Sequence, residues 1–545
     1  MAERDPAGPH TDRHRSTPPA AVWSLLLLHV SLMVLYSVLA PTFRAPDEYM
    51  HVDLARHVAG GDPYPRYDER LVAAAIFRAR DTSPAYLSYA PAVSADAADP
   101  RTRRPAFDDL GPEEPTDIVN PIAQHPPLYY DLAGGVLAAL DRVADASSWP
   151  FDRQVAALRL FDVLLVAPLP LLAWATARRL LGSPVASVAA AALVVCIPSL
   201  THIGSVVNND NLLALLGAVL ALVVVRVMTG DNTSVRTSLL GGLVLGLALL
   251  TKGFALVLVP WLVVAYAVAL VPTRRWWALA GRVGTATGVA FAVGGWWWAR
   301  NLLVDGRLLP AVGLRDRVPV DPDVSEFATG FLDRFLSGVW GSFGWREAEL
   351  PIAAVSVLTL CVVLIAAWTI LRSPLRLRLV VLLLPAAALA LLVTANALRA
   401  YLKTGVPWAT QGRYLFAGLL GVVVVVAASV PEVVPRWRPR VPLGLLALAV
   451  LLHAAAIDTI TGRFWDGDRI GALTAFSPWP PAVVAMMATA VVLAVAITAW
   501  ALRPSAMATR PGGGSPAHAG TGASPPARPA RRKPPVALLD ERTAR

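Results

Sequence analysis

Runs of Ala, Leu and Val close to 20 residues long recur from residue 21 to residue 502, broken by short polar joints. An apolar helix of about 20 residues crosses about 30 Å of hydrocarbon. Lipid offers the backbone no partner outside its own helix, so such runs are read as helical spans. The pattern predicts spans near 21–41, 126–142, 155–179, 185–204, 211–229, 237–250, 254–271, 277–299, 351–371, 377–397, 413–430, 441–458 and 481–502. The stretch 42–125 is too polar to span and too long to be a mere connector. A second polar stretch covers 300–350. No fixed repeat period is present, which excludes a solenoid. The predicted fold is an all-α, polytopic transmembrane helical bundle of about 12–13 spans with a large first outer loop. Its layout is a polar segment 1–20, a transmembrane domain 21–502 and a basic tail 503–545 rich in Pro, Gly and Ala, which cannot bury a core.

Charge sets the orientation. Of 545 residues 55% are hydrophobic and only 16% charged, well below the soluble average of about 25%. The net charge of +10 comes from short joints and the two ends, so it speaks for membrane lipid head groups and not for nucleic acid. Arg4, Arg13 and Arg15 place the N-terminus inside. Arg178-Arg179, Arg226 with Arg236, Arg274-Arg275, Arg372 with Arg376 and Arg378, and Arg436 with Arg438 and Arg440 mark inner joints. The segments 42–125, 205–210, 251–253, 300–350, 398–412 and 459–480 then lie outside. Both ends inside require an even number of spans, whereas thirteen are counted. Either 126–142 is re-entrant or surface-lying, or one basic joint is misassigned. Trp23–Ala40 resembles a signal peptide, but Pro41 argues against cleavage and favours an uncleaved first span. Cys196 and Cys361 both lie in apolar runs, so they build neither a disulfide framework nor a metal cluster.

The outer segments hold the distinctive polar residues. Pro46-Asp47-Glu48 with His51 follows the first span. Pro and acids suit a helix start, yet a start needs one acid and no histidine. A carboxylate pair beside a bilayer is a functional candidate: Asp47 as general base, with Glu48 or His51 orienting it. Gln124-His125-Pro126-Pro127-Leu128-Tyr129-Tyr130 is a rigid helix entry with aromatics, and His125 is placed to meet a phosphate. Asn208-Asn209-Asp210-Asn211 is either a set of caps and turn formers or a hydrogen-bonding site for a sugar or a cation. Lys252, in Thr251-Lys252-Gly253, either snorkels to the interface or binds a phosphate. Trp296-Trp297-Trp298 reads as an interfacial belt, with Arg300 behind it. Gln411-Gly412-Arg413-Tyr414 opens a late span. Lys252, Arg300 and Arg413 are outer cations set against the inside bias, as a phosphate-bearing lipid requires. In the long outer loop, Arg315-Asp316-Arg317 and Trp345-Arg346 either shape the site or are solvated. Gly241-Gly242 and Gly294-Gly295 read as helix-packing positions. There is no P-loop, paired CxxC or HExxH.

Taken in order, Pro46-Asp47-Glu48…His51, His125-Pro126-Pro127-Leu128-Tyr129-Tyr130, Asn208-Asn209-Asp210, Leu250-Thr251-Lys252, Trp297-Trp298-Ala299-Arg300-Asn301 and Gln411-Gly412-Arg413-Tyr414 resemble the DUF2142 group of membrane proteins, within the GT-C superfamily of polyprenyl-phosphate-sugar-dependent glycosyltransferases. The resemblance covers roughly residues 21–430. It implies an inverting single displacement at the outer face of the plasma membrane. The sugar would pass from a polyprenyl-phosphate donor to a glycan or lipid acceptor of the cell envelope. Asp47 matches the acceptor-activating acid, with Glu48 and His51 beside it. Lys252, Arg300 and Arg413 match the donor-phosphate cations. His125, Asn209, Asp210 and Gln411 are the candidate substrate contacts among the residues themselves. No cofactor is certain; a divalent metal is possible, with Asp210 as ligand or as structural cap. Acceptor recognition falls to 42–125 and 300–350. The rival readings are a transporter or flippase of a lipid-linked sugar, and a non-catalytic envelope-assembly protein. A transporter ordinarily carries internal repeats and midplane charges, whereas the charges here cluster at one face.

Overall fold

The computed structural model describes residues 17–82, 92, 101, 104–111, 115–230, 233–310, 322–407 and 409–504. Arg4, Arg13, Arg15, the Arg315-Asp316-Arg317 cluster and nearly all of the basic tail lie outside the described residues.

Among the described residues, nine helices are long and apolar enough to cross a membrane: Ala20–Leu39, Phe151–Leu181, Asp210–Met228, Gly253–Leu270, Ile352–Arg372, Arg376–Thr404, Gly412–Glu432, Arg438–Phe464 and Pro481–Ala501. Pro184–Val195 and Val235–Leu249 are shorter apolar helices. The protein is therefore a polytopic helical membrane protein. Ala20–Leu39 and Asp210–Met228 are mostly buried among their neighbours, whereas Ile352–Arg372 and Pro481–Ala501 leave most of their Leu, Val and Ala surface open. A helix that is apolar all round and open at the rim of a bundle is suited to lipid.

The predicted span 126–142 differs. Leu128–Ala144 is a helix, but it carries Asp131, Asp141 and Arg142 and is not among the membrane-length apolar helices. It lies against the helix Glu48–Ala59, with Gly134 on the backbone of Ala55 and Ala59, where a side chain would clash. The stretch 276–304 runs as one helical path: Trp276–Ala290, a π-helical turn Phe291–Gly295 and Trp296–Val304.

Two backbone arrangements shape the bundle. Gly242 and Gly246 face the 276–304 path, and a Cβ on Gly242 or on Gly294 would run into the carbonyls of Ala286 and Gly246 respectively. Gly241 and Gly295 are less constrained: the nearest atoms to a Cβ belong to flexible side chains of Leu262 and Phe291. Gly294→Val is expected to force these helices apart at a cost of roughly 1–3 kcal/mol. A lower unfolding midpoint in detergent would report this. Thr251-Lys252 directly follows one of the two helices, so the change reaches the polar layer as well. Pro385, inside Arg376–Thr404, has no N–H for the carbonyl of Val381. The Trp261 indole N–H donates to that carbonyl at 2.7 Å, restoring the lost bond where water is excluded.

The first polar stretch folds as a small layer. Strands Leu71–Ala73 and Pro115–Val119 pair antiparallel, with Leu71 opposite Val119. Buried Asp53 holds it to Glu48–Ala59: it accepts from Arg70 at 2.7 Å, from the Ala73 N–H at 3.0 Å and from the Asn120 amide at 2.9 Å. In the second stretch, helix Val324–Trp340 lays Phe327 and Phe331 against Tyr401. It leads to a two-stranded turn, Ser342–Phe343 with Ala348–Glu349.

Candidate active site

The chain leaves the first span through Pro41 and turns twice with positive φ, at Phe43 (67°) and at Asp47 (62°). Asp47 is the N-cap of Glu48–Ala59, and its carbonyl accepts the N–H of Met50 and of His51. Its carboxylate makes no capping bond. A residue chosen only to start a helix would accept a backbone N–H with its side chain. Asp47 instead holds a left-handed backbone conformation, which Asp tolerates better than most residues, and directs its carboxylate to Arg413. The distance is 3.6 Å, and the side chain is 28% exposed.

Arg413 also contacts Asp210, 3.3 Å from its Nε to a carboxylate oxygen. The Lys252 ammonium donates to the other oxygen at 2.6 Å and to the Asn209 side-chain oxygen at 3.2 Å. One buried carboxylate is thus shared by two buried cations, and the second cation reaches the more open carboxylate of Asp47. Lys252 does not snorkel. It is 7% exposed, with the rings of Tyr414 and Phe254 at 5.0 and 5.5 Å from its nitrogen. The Asn208-Asn209-Asp210-Asn211 run divides its work. The Asn208 side-chain oxygen accepts the Asp210 N–H, and Asn211 donates to Asp162, Ile203 and Val206. Among the described residues the amide nitrogens of Asn208 and Asn209 are buried without a hydrogen-bond partner.

The electrostatics agree with this geometry. Burial raises the Asp47 carboxyl above its ordinary range, while Arg413 and Lys252 oppose the rise. Burial, reinforced by Lys252, lowers the His51 imidazole well below its ordinary value. His125 is pushed down to about 3 by the same two causes. Both histidines are neutral near pH 7, so they serve as hydrogen-bonding groups and not as cations. His51 exchanges a hydrogen bond with the Tyr130 hydroxyl at 2.9 Å, and the His125 carbonyl accepts from Tyr64 at 2.8 Å.

The structure brings together Asp47, His51, His125, Asn209, Asp210, Lys252 and Arg413. Three expected residues stand apart. Glu48 is 0% exposed, and both its oxygens are taken by Arg159 at 2.7 and 2.6 Å and by the N–H groups of Val207 and Phe43. It is a structural clamp and has no oxygen left to orient Asp47. Arg300 makes no ion pair with Asp47 or Asp210; its guanidinium lies over the Trp297 ring at 5.4 Å. Gln411 lines the cavity next to the site instead of joining it. The expected tryptophan belt is also corrected. Trp296 is exposed, but Trp297 and Trp298 are buried, and the Trp298 indole donates to the Leu249 carbonyl beside Thr251-Lys252. Reading the sequence missed Arg159. An arginine inside the predicted span 155–179 was the available signal, because an intramembrane charge needs a partner.

The donor set does not suit a divalent metal. No group of three or more His, Cys, Asp and Glu is arranged to hold an ion among the described residues. Asp210, the expected ligand, has a cation at each oxygen, and an incoming metal would meet two like charges.

Residues 151–298 match the family of dolichyl-phosphate-mannose-protein mannosyltransferases. The chain is also similar in structure to ArnT from Cupriavidus metallidurans bound to undecaprenyl phosphate. Identity is 13% and the TM-score 0.46, covering 89% of this chain and 77% of that one. A second likeness is to the Archaeoglobus fulgidus oligosaccharyltransferase tethered with an acceptor peptide, at 12% identity and a TM-score of 0.37. It covers 84% of this chain and 55% of that one. AglB from the same organism, in complex with an inhibitory peptide and a dolichol-phosphate, is similar at 14% identity and a TM-score of 0.32, over 82% of this chain and 56% of that one. No curated protein matches the chain at a significant level.

Proposed function

We propose that the protein is a membrane glycosyltransferase of the GT-C type. It moves a sugar from a polyprenyl-phosphate donor to a cell-envelope acceptor on the extracytoplasmic face. The observation that carries this reading is the Asp47–Arg413–Asp210–Lys252 chain of contacts: a reachable carboxylate with no capping duty, beside two buried cations. The mannosyltransferase family match over residues 151–298 supports a lipid-phosphate donor. The order of the motifs supports the finer placement in the DUF2142 group.

In the proposed step the acceptor hydroxyl oxygen attacks the anomeric carbon, and the bond from that carbon to the phosphate oxygen breaks. Asp47 takes the hydroxyl proton. The electron pair leaves on the lipid phosphate, where Arg413 and Lys252 meet the growing negative charge. The unpartnered amides of Asn208 and Asn209 are donors available to the same anion or to sugar oxygens. His51 and His125, neutral and held by tyrosines, shape the wall without adding charge. The one-sided placement of these charges is what favours a transferase over a flippase.

The test is turnover of radiolabelled polyprenyl-phosphate sugars in reconstituted liposomes. Release of polyprenyl phosphate from one donor in the panel is the expected result. Movement of intact donor across the bilayer, with no cleavage, would establish the flippase instead.

A further inference from the structure

A cavity of about 260 Å³ adjoins the site. Pro46, the residue before Asp47, lines it together with Arg334, Trp345, Arg346, Gln411 and Arg413. Three arginines line this space and, among the described residues, no Asp or Glu does. Two of these arginines have carboxylate partners. Arg346 is held by Glu349 at 2.7 Å and Asp333 at 3.0 Å, and Arg413 contacts Asp210 and Asp47. Arg334 has none. It is half-buried on helix Val324–Trp340 and has neither a hydrogen bond nor an ion pair among the described residues.

The helix carrying Arg334 is fixed against the Gln411-Gly412-Arg413 segment at backbone distance. A Cβ on Gly338 would strike the backbone of Gly412, and one on Gly412 would strike Phe335 and Val339. The backbone that carries Arg334 is therefore held beside the backbone that carries Arg413. A partly desolvated guanidinium without a counter-charge is costly, and its planar fork matches a phosphate or carboxylate. The volume accommodates several waters, so it takes more than a bare ion.

We infer that this cavity is an anion-binding subsite, in which Arg334 pairs with a phosphate group of a substrate while Arg413 links that group to Asp47. The inference rests on the transferase reading for its substrate, though not for its chemistry. The phosphate comes either from the lipid carrier or from a phosphorylated acceptor.

The experiment is equilibrium dialysis of radiolabelled inorganic phosphate against the full chain in nanodiscs. Wild type, Arg334→Ala and Arg334→Lys are compared. Arg334→Ala is expected to weaken binding about tenfold, with Arg334→Lys between the two, since a lysine keeps the charge and loses the fork. Competition then separates the sources. Displacement by undecaprenyl phosphate alone assigns the subsite to the carrier; displacement by glycerol 3-phosphate alone assigns it to the acceptor. Absence of saturable binding by wild type, or equal binding by Arg334→Ala, overturns the subsite. A protein that binds phosphate through Arg334 but cleaves no donor keeps the subsite and loses the transferase reading.

Discussion

Asp47→Asn is expected to cut sugar transfer by orders of magnitude while leaving insertion and folding unchanged. A positioned general base contributes about 10²- to 10⁴-fold to a rate, so turnover should fall by that factor. Asparagine is the informative replacement. It tolerates the left-handed conformation at φ 62° as aspartate does, and there is no side-chain cap to lose. The amide keeps the shape and cannot take the proton. Polyprenyl phosphate release from the donor identified above measures the effect, and an unchanged unfolding midpoint shows that the fold is intact. Full turnover in this variant would remove Asp47 as the base. The pH profile supplies a second readout. A base acts only when ionised, so the rate falls as pH drops through its folded pKa. Burial raises the Asp47 carboxyl, so the acid limb should lie above the range of an ordinary carboxylate. Neither histidine should appear as a limb near pH 6, because both are held neutral.

The neighbouring acid behaves in the opposite way. Glu48→Ala is expected to cost about 3–5 kcal/mol of stability, because it strands the Arg159 guanidinium in a buried position. Arg159 donates to Glu48 and also to the carbonyls of Ser37, Ala40 and Pro41. It therefore ties the end of the first span to the start of the next helix. A large drop in the unfolding midpoint in detergent is the measurement. Glu48→Ala with Arg159→Met should recover part of the loss and not all, since the three carbonyls then lack their donor. Any loss of transfer in Glu48→Ala should follow the loss of folded protein. In Asp47→Asn the two separate. Normal stability in Glu48→Ala would show that the clamp does not hold the fold.

These two adjacent acids show where reading the chain stops. Both stood out for one reason, a carboxylate pair beside a membrane exit, and nothing in the local pattern separates them. Successive residues at a helix start project in different directions, and what lies in each direction comes from distant segments: Arg159 for Glu48, Arg413 for Asp47. Arg300 and Arg413 were equally conspicuous as outer cations, yet only Arg413 reaches the acids. The three tryptophans looked alike as an interfacial run, but a helix surface turns each to a different neighbour, and two of them are buried. Arg334 carried no signal at all, because an arginine in an amphipathic helix is ordinary until its partners are counted.

What the chain determined by itself follows from composition and period. Apolar runs of membrane length have one way to satisfy their backbone in lipid, so a polytopic helical bundle was legible before any coordinates. The polar segments between them stood out as candidates for chemistry, because charge is costly beside hydrocarbon. Which charges neutralise one another, which stays reachable, and which cavity lies beside it were decided by tertiary packing alone. Those properties depend on distances of a few ångströms between residues hundreds of positions apart, and Asp47 and Arg413, 3.6 Å apart, are the case in point.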